Sequence, residues 1–133
     1  MVTLAILLIV AVVGVIYFWT DFYVTGGVQI VKEDWYLKFE RAFLPADIWM
    51  AACALAGAIG LLAEQAYGLL FSLLAVSSVV FVALMDITFN IQNGFYRLVT
   101  TSSPMKLELF ANVGFLGLGI AVIVCLWPCL ALA

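Results

Sequence analysis

Residues 2–20 carry no charged side chain, and residues 46–63, 67–96 and 107–130 carry a single carboxylate each, Asp47, Asp86 and Glu108. Each stretch approaches or exceeds the ~20 apolar residues that cross a ~30 Å hydrocarbon core. Charged residues make up 10 % of the chain and apolar ones 68 %, against about 25 % charged in soluble domains. A small soluble domain has too much surface to cover with so few charges. The patterning therefore selects lipid as the solvent.

Within lipid, backbone polar groups must be satisfied internally, which leaves helices and closed barrels. No stretch alternates as a barrel strand does, so all four are read as helices. The expected fold is all-α, an integral membrane antiparallel four-helix bundle in one transmembrane domain over residues 1–133. The first stretch has neither a basic start nor a small-residue cleavage site, and is read as a retained span. Between the first two spans, Trp35, Phe39 and Phe43 recur at i, i+4 and i+8 among Lys38, Glu40 and Arg41. That spacing predicts a short amphipathic helix over residues 32–44 lying in the membrane interface. Pro45 is expected to break it at Leu44, and Gly26-Gly27 to form the turn after the first span.

Orientation follows from the basic residues. Lys32, Lys38 and Arg41 lie between spans one and two, and Arg97 and Lys106 between spans three and four. Both loops then face the cytoplasm and both termini face outward, in a multi-pass protein of the cell membrane.

Small residues mark where helices can approach closely. In the second span they pair as Cys53 with Gly57, Ala54 with Ala58, and Ala56 with Gly60; in the fourth, Gly117 pairs with Ala121 beside Gly114. Spans two and four are thus expected to be well buried.

The candidate site is a polar stripe. Asp86, Asn90, Asn93 and Arg97 fall at i, i+4, i+7 and i+11, one face of a continuous third helix. Asp21 ends the first span, Asp47 opens the second, and Glu108 and Asn112 open the fourth one turn apart. Asp86 lies roughly 28 Å along a helix begun at Tyr67, near the cytoplasmic boundary. Ionisable groups in spans usually face the bundle interior or a wet cavity. Asp86, Asn90, Asn93, Asp47, Glu40, Asn112, Glu108 and Asp21 are therefore candidate ligand-binding residues around a cytoplasmic-side cavity. Arg97 and Arg41 are candidate ion-pair partners for its acids. Singly, Asp21, Asp47 and Glu108 also suit an interfacial role, and Asp86 with its asparagines suits interhelical hydrogen bonding.

The residue inventory removes several classes. Histidine is absent and the basic residues number five, so no nucleic-acid surface is expected. No cofactor, metal site or catalytic residue is assigned. Cys53, Cys125 and Cys129 form no metal or redox motif and read as small apolar filler.

The runs Phe39-Glu40-Arg41-Ala42-Phe43 through Asp47 to Trp49, and Met85-Asp86 through Phe89-Asn90 to Asn93-Gly94, resemble those of small uncharacterised prokaryotic four-helix integral membrane proteins. The resemblance spans about Gly26 to Tyr96. It implies a membrane bundle and no particular activity.

Three functions compete. The leading one is binding or transport of a small molecule, lipid or ion in the polar cavity. The second is a structural or accessory subunit, as a homo-oligomer or within a larger membrane complex. The third is an intramembrane acid–base enzyme pairing Asp86 with Glu40 or Asp47.

Overall fold

The computed structural model describes residues 1–27 and 29–131 and is all-α. In chain order it comprises α1 (Val2–Thr25), α2 (Asp34–Ala42), α3 (Leu44–Leu62), α4 (Ala66–Gln92), a 3-10 helix (Phe95–Thr100) and α5 (Ser103–Ala131). Among the described residues, four helical segments are long and apolar enough to cross a membrane: Val2–Thr25, Asp34–Leu62, Ala66–Gln92 and Ser103–Leu130. Large apolar side chains stand exposed along them, among them Val10, Ile16, Phe81, Phe110, Val113 and Val124. Contiguous apolar surface of this kind is a liability in water and the proper exterior in lipid. The chain divides into two compact units, Met1–Ala75 and Val76–Ala133, with α4 contributing to each.

In the first unit α1 and α2 both pack on α3, and α3 turns back into α4. A Cβ added at Gly60 would lie 2.5 Å from the Gly68 Cα, and one at Gly57 would lie 2.8 Å from the Ser72 amide nitrogen. Numbers rise on one helix as they fall on the other, so the two helices form an antiparallel hairpin. Its backbones touch where side chains are missing. Ser72, fully buried, keeps its hydroxyl satisfied on the Gly68 carbonyl at 2.6 Å. The core around this contact holds Ala5 and Leu8 of α1, Cys53, Ala54, Ala58 and Leu61 of α3, and Ala75 of α4. The small-residue reading of the second span thus corresponds to the observed packing.

The hairpin turn is tight. The Gln65 N–H donates to the Gly60 carbonyl at 2.8 Å, and Glu64 takes a left-handed φ of 54°. A non-glycine residue pays roughly 1–2 kcal/mol for that conformation, so the turn is held by the packing on either side.

Residues 43–45 differ from the sequence expectation. Pro45 has no N–H to continue the ladder, yet Phe43 keeps helical angles of φ −78° and ψ −21°. The interruption between α2 and α3 is one residue wide. On α2 the ring of Phe39 meets Phe43 edge-on at 4.9 Å, but Trp35 is 44 % exposed and Tyr36 is the buried aromatic, at 1 %. Lys38 and Asp34 form an exposed i, i+4 ion pair at 2.8 Å. It holds the Asp34 carboxyl below its ordinary value, first through the hydrogen bond from Lys38 and then through the lysine and Arg41 charges.

In the second unit α4 and α5 also run antiparallel, with Gly119 against Val76 and Val80 and Asn90 against Glu108. The 3-10 helix packs on α5. The fourth-span expectation needs correcting. Gly114, Gly117 and Ala121 are exposed, and a Cβ at either glycine would meet nothing within 4 Å. Gly119 is the glycine used for close approach, where a Cβ would come within 2.6 Å of a Val80 methyl. Spacing alone marks candidates for contact; neighbours decide which are used.

Candidate functional site

The third span ends earlier than the bound at residue 96 expected from the sequence. α4 stops at Gln92, Gly94 adopts a left-handed φ of 67°, and the chain continues as the 3-10 helix. The Asn93 side chain folds back to donate to the Phe89 carbonyl at 2.9 Å. It caps the end of α4 and is exposed. Arg97 sits on the 3-10 helix, also exposed. The four-residue stripe read from the sequence therefore shortens to Asp86 and Asn90, one turn apart on α4.

Asn90 is the best-buried polar side chain of the set, at 1 % exposure, and Asn112 follows at 5 %. The Asn90 amide donates to Glu108 Oε1 at 3.2 Å, and the Asn112 amide reaches the same oxygen at 3.5 Å. The first bond ties α4 to α5, while the second runs along α5 at i, i+4. Amide donors stabilise an ionised carboxylate without neutralising it. Among the described residues, no lysine or arginine lies within ion-pair distance of Glu108. Nearby, Met105 is fully buried, and its N–H is capped by the Ser102 hydroxyl at 3.3 Å.

The same unit holds a polar group outside the candidate residues read from the sequence. The Tyr96 hydroxyl is buried and, among the described residues, has no hydrogen-bond partner. Leaving such a group unpaired costs roughly 1–3 kcal/mol. Nothing in the spacing of Tyr96 separates it from the other tyrosines near span ends.

In the first unit the acids have other company. The buried Trp19 indole N–H donates to Asp47 Oδ2 at 2.9 Å, joining α1 to α3. Asp47 also stands in the first turn of α3, where a carboxylate complements the helix N-terminus. Asp21 accepts the Thr25 hydroxyl at 2.6 Å within α1. Glu40 is half-buried and Arg41 exposed on α2; Arg41 occupies the last turn, where a cation suits the helix dipole.

No family model, curated protein or solved structure matches this chain. The functional reading rests on the geometry alone. Among the described residues no group of three histidine, cysteine or acidic side chains is arranged to hold a metal ion. Cys53 is buried in the core of the first unit, Cys125 is exposed and Cys129 half-buried on α5. Of the eight candidate ligand-binding residues, Asn90, Glu108 and Asn112 meet one another in the second unit.

Proposed function

We propose that this is a multi-pass membrane protein that binds, and in the fuller version carries, a small cation or ammonium-bearing molecule at Glu108, Asn90 and Asn112. The observation that carries the reading is a carboxylate held by two buried amides with, among the described residues, no lysine or arginine at ion-pair distance. Glu108 itself is half-buried; a partly desolvated carboxylate gains from an opposite charge, and a bound cation would complete the set. Carboxylate and amide oxygens are the hard donors such a ligand prefers. Asp86, one turn before Asn90, adds a second acid to the same stretch of α4, and the unpartnered Tyr96 hydroxyl supplies a further polar group in the same unit.

The wider arrangement that suits this reading is an antiparallel bundle with α2 in the interface and both basic loops cytoplasmic. The amide–carboxylate cluster lies at the ends of α4 and α5 nearest Arg97 and Lys106, so the site would open to the cytoplasm.

A second reading has one observation in its favour: the Asn90–Glu108 bond by itself pins α4 to α5, as a structural element would. The two separate on purified protein. A panel of monovalent cations and small primary amines is expected to raise the apparent Tm of the wild type, and Glu108→Gln is expected to remove that rise. Failure of every cation and amine to shift the wild type would sink the ligand reading and leave the structural one.

A further inference from the structure

Beside α5 lies an open groove of about 510 Å³, lined by Val99 of the 3-10 helix and by Lys106, Leu109, Phe110, Val113 and Gly114 of α5. Phe110 and Val113 are mostly exposed, and Gly114 leaves the groove floor unfilled, since a Cβ there would touch nothing within 4 Å. Every lining side chain but one is apolar. The exception, Lys106, occupies the first turns of α5 at one end of the groove.

We infer that this groove seats one chain of an anionic phospholipid, with Lys106 at its headgroup. The apolar floor matches a hydrocarbon chain. A lysine at a span end rests its stem on apolar surface and holds its ammonium at the headgroup level. The first turn of α5 adds the positive end of a helix dipole, and the 3-10 helix that supplies Val99 also carries exposed Arg97. Among the described residues no carboxylate lines the groove. Charge also argues against a second copy of this chain as the occupant. Two copies in the same membrane orientation would bring their Lys106 ammoniums to the same depth across grooves with no carboxylate among their described lining residues, and like charges at an interface oppose association. This inference does not depend on a ligand at Glu108.

The test uses the full-length chain in detergent, supplied with equimolar dioleoyl phosphatidylglycerol and dioleoyl phosphatidylcholine and read by native mass spectrometry. A basic residue near the surface contributes about fivefold in preference for an anionic lipid. The wild type is thus expected to retain phosphatidylglycerol about fivefold over phosphatidylcholine. Lys106→Gln should bring the two lipids to parity, and Gly114→Leu should reduce adducts of both. Lys32→Gln, a basic residue outside the groove, should leave the preference unchanged. Equal retention by the wild type, or an equal loss in Lys32→Gln and Lys106→Gln, would overturn the assignment. So would a dimer that Gly114→Leu dissolves while the lipid adducts persist, which would place a second copy in the groove.

Discussion

Both units bring helices close at a glycine, Gly119 in the second as well as Gly57 and Gly60 in the first, but they differ in the polar link made on α4. In the first, α3 and α4 meet through missing side chains: Gly57 and Gly60 lie on the backbone of Ser72 and Gly68. In the second, α4 and α5 meet through side chains that reach, with Asn90 donating across to Glu108. Lipid offers no hydrophobic drive for helix association, so both solutions rest on packing and hydrogen bonds. They differ in what they leave over. A backbone contact is complete in itself, whereas two amides on one oxygen leave a carboxylate with no described lysine or arginine at ion-pair distance.

The largest effect that would break this comparison is steric. Gly60→Val puts atoms where the Gly68 backbone already is, and backbone cannot rotate away. Overpacking costs ~1–3 kcal/mol and more where neighbours are fixed, so a marked fall in apparent Tm, or loss of folded protein, is expected. Gly117→Ala on α5 is expected to be neutral or to gain up to about 1 kcal/mol, since an open helical glycine only loses backbone entropy. Equal damage from the two substitutions would remove the distinction between the helices.

Next in size is Asn90→Leu. It fills the site with an apolar side chain of similar bulk and strips Glu108 of its interhelical donor. The expected cost is roughly 1–3 kcal/mol, visible in chemical or thermal unfolding, with the first unit's Gly60 contact untouched. A smaller change is Trp19→Phe, which keeps most of the ring and removes the N–H on Asp47. Hydrogen bonds to charged groups contribute ~1.5–3 kcal/mol, and the exposed half of this one places the loss at about the lower figure.

The smallest concerns Asp34. Its pKa is depressed below 3.8 by Lys38. The stabilisation is therefore full above the unfolded value and is lost as pH falls through the folded one. Because the pair is solvent-exposed, the expected signal is slight: a small extra decline in Tm between pH 5 and the acid limit (about the range over which a carboxylate protonates) that Asp34→Asn abolishes. A larger decline would mean that α2 is less exposed than its ion pair indicates.

Much of the fold was legible because lipid imposes helices and their length. The four spans follow from apolar runs, and the close approach at Gly57 and Gly60 from small-residue spacing. The end of α4 was not. Residues 86–97 place polar residues at helical spacing, and that spacing outweighed the Asn93-Gly94 turn signal, so Asn93 and Arg97 were drawn onto a face that does not extend to them. The site was legible in part for the same reason: Asn90, Glu108 and Asn112 were all identified, but their meeting depends on the register of α4 against α5, which periodicity along one helix does not encode. Tyr96 escaped notice because an unpartnered hydroxyl is a property of its surroundings.

The most direct test of the proposed site is a paired measurement on Glu108→Gln: apparent Tm without ligand, and the shift produced by the cation or amine that stabilises the wild type. Glutamine keeps an oxygen for Asn90 and Asn112 to donate to and discards only the charge. The ligand-free Tm is expected to stay close to that of the wild type while the ligand-induced shift disappears. A lowered ligand-free Tm with the ligand shift intact would contradict the account and make Glu108 a strut between two helices.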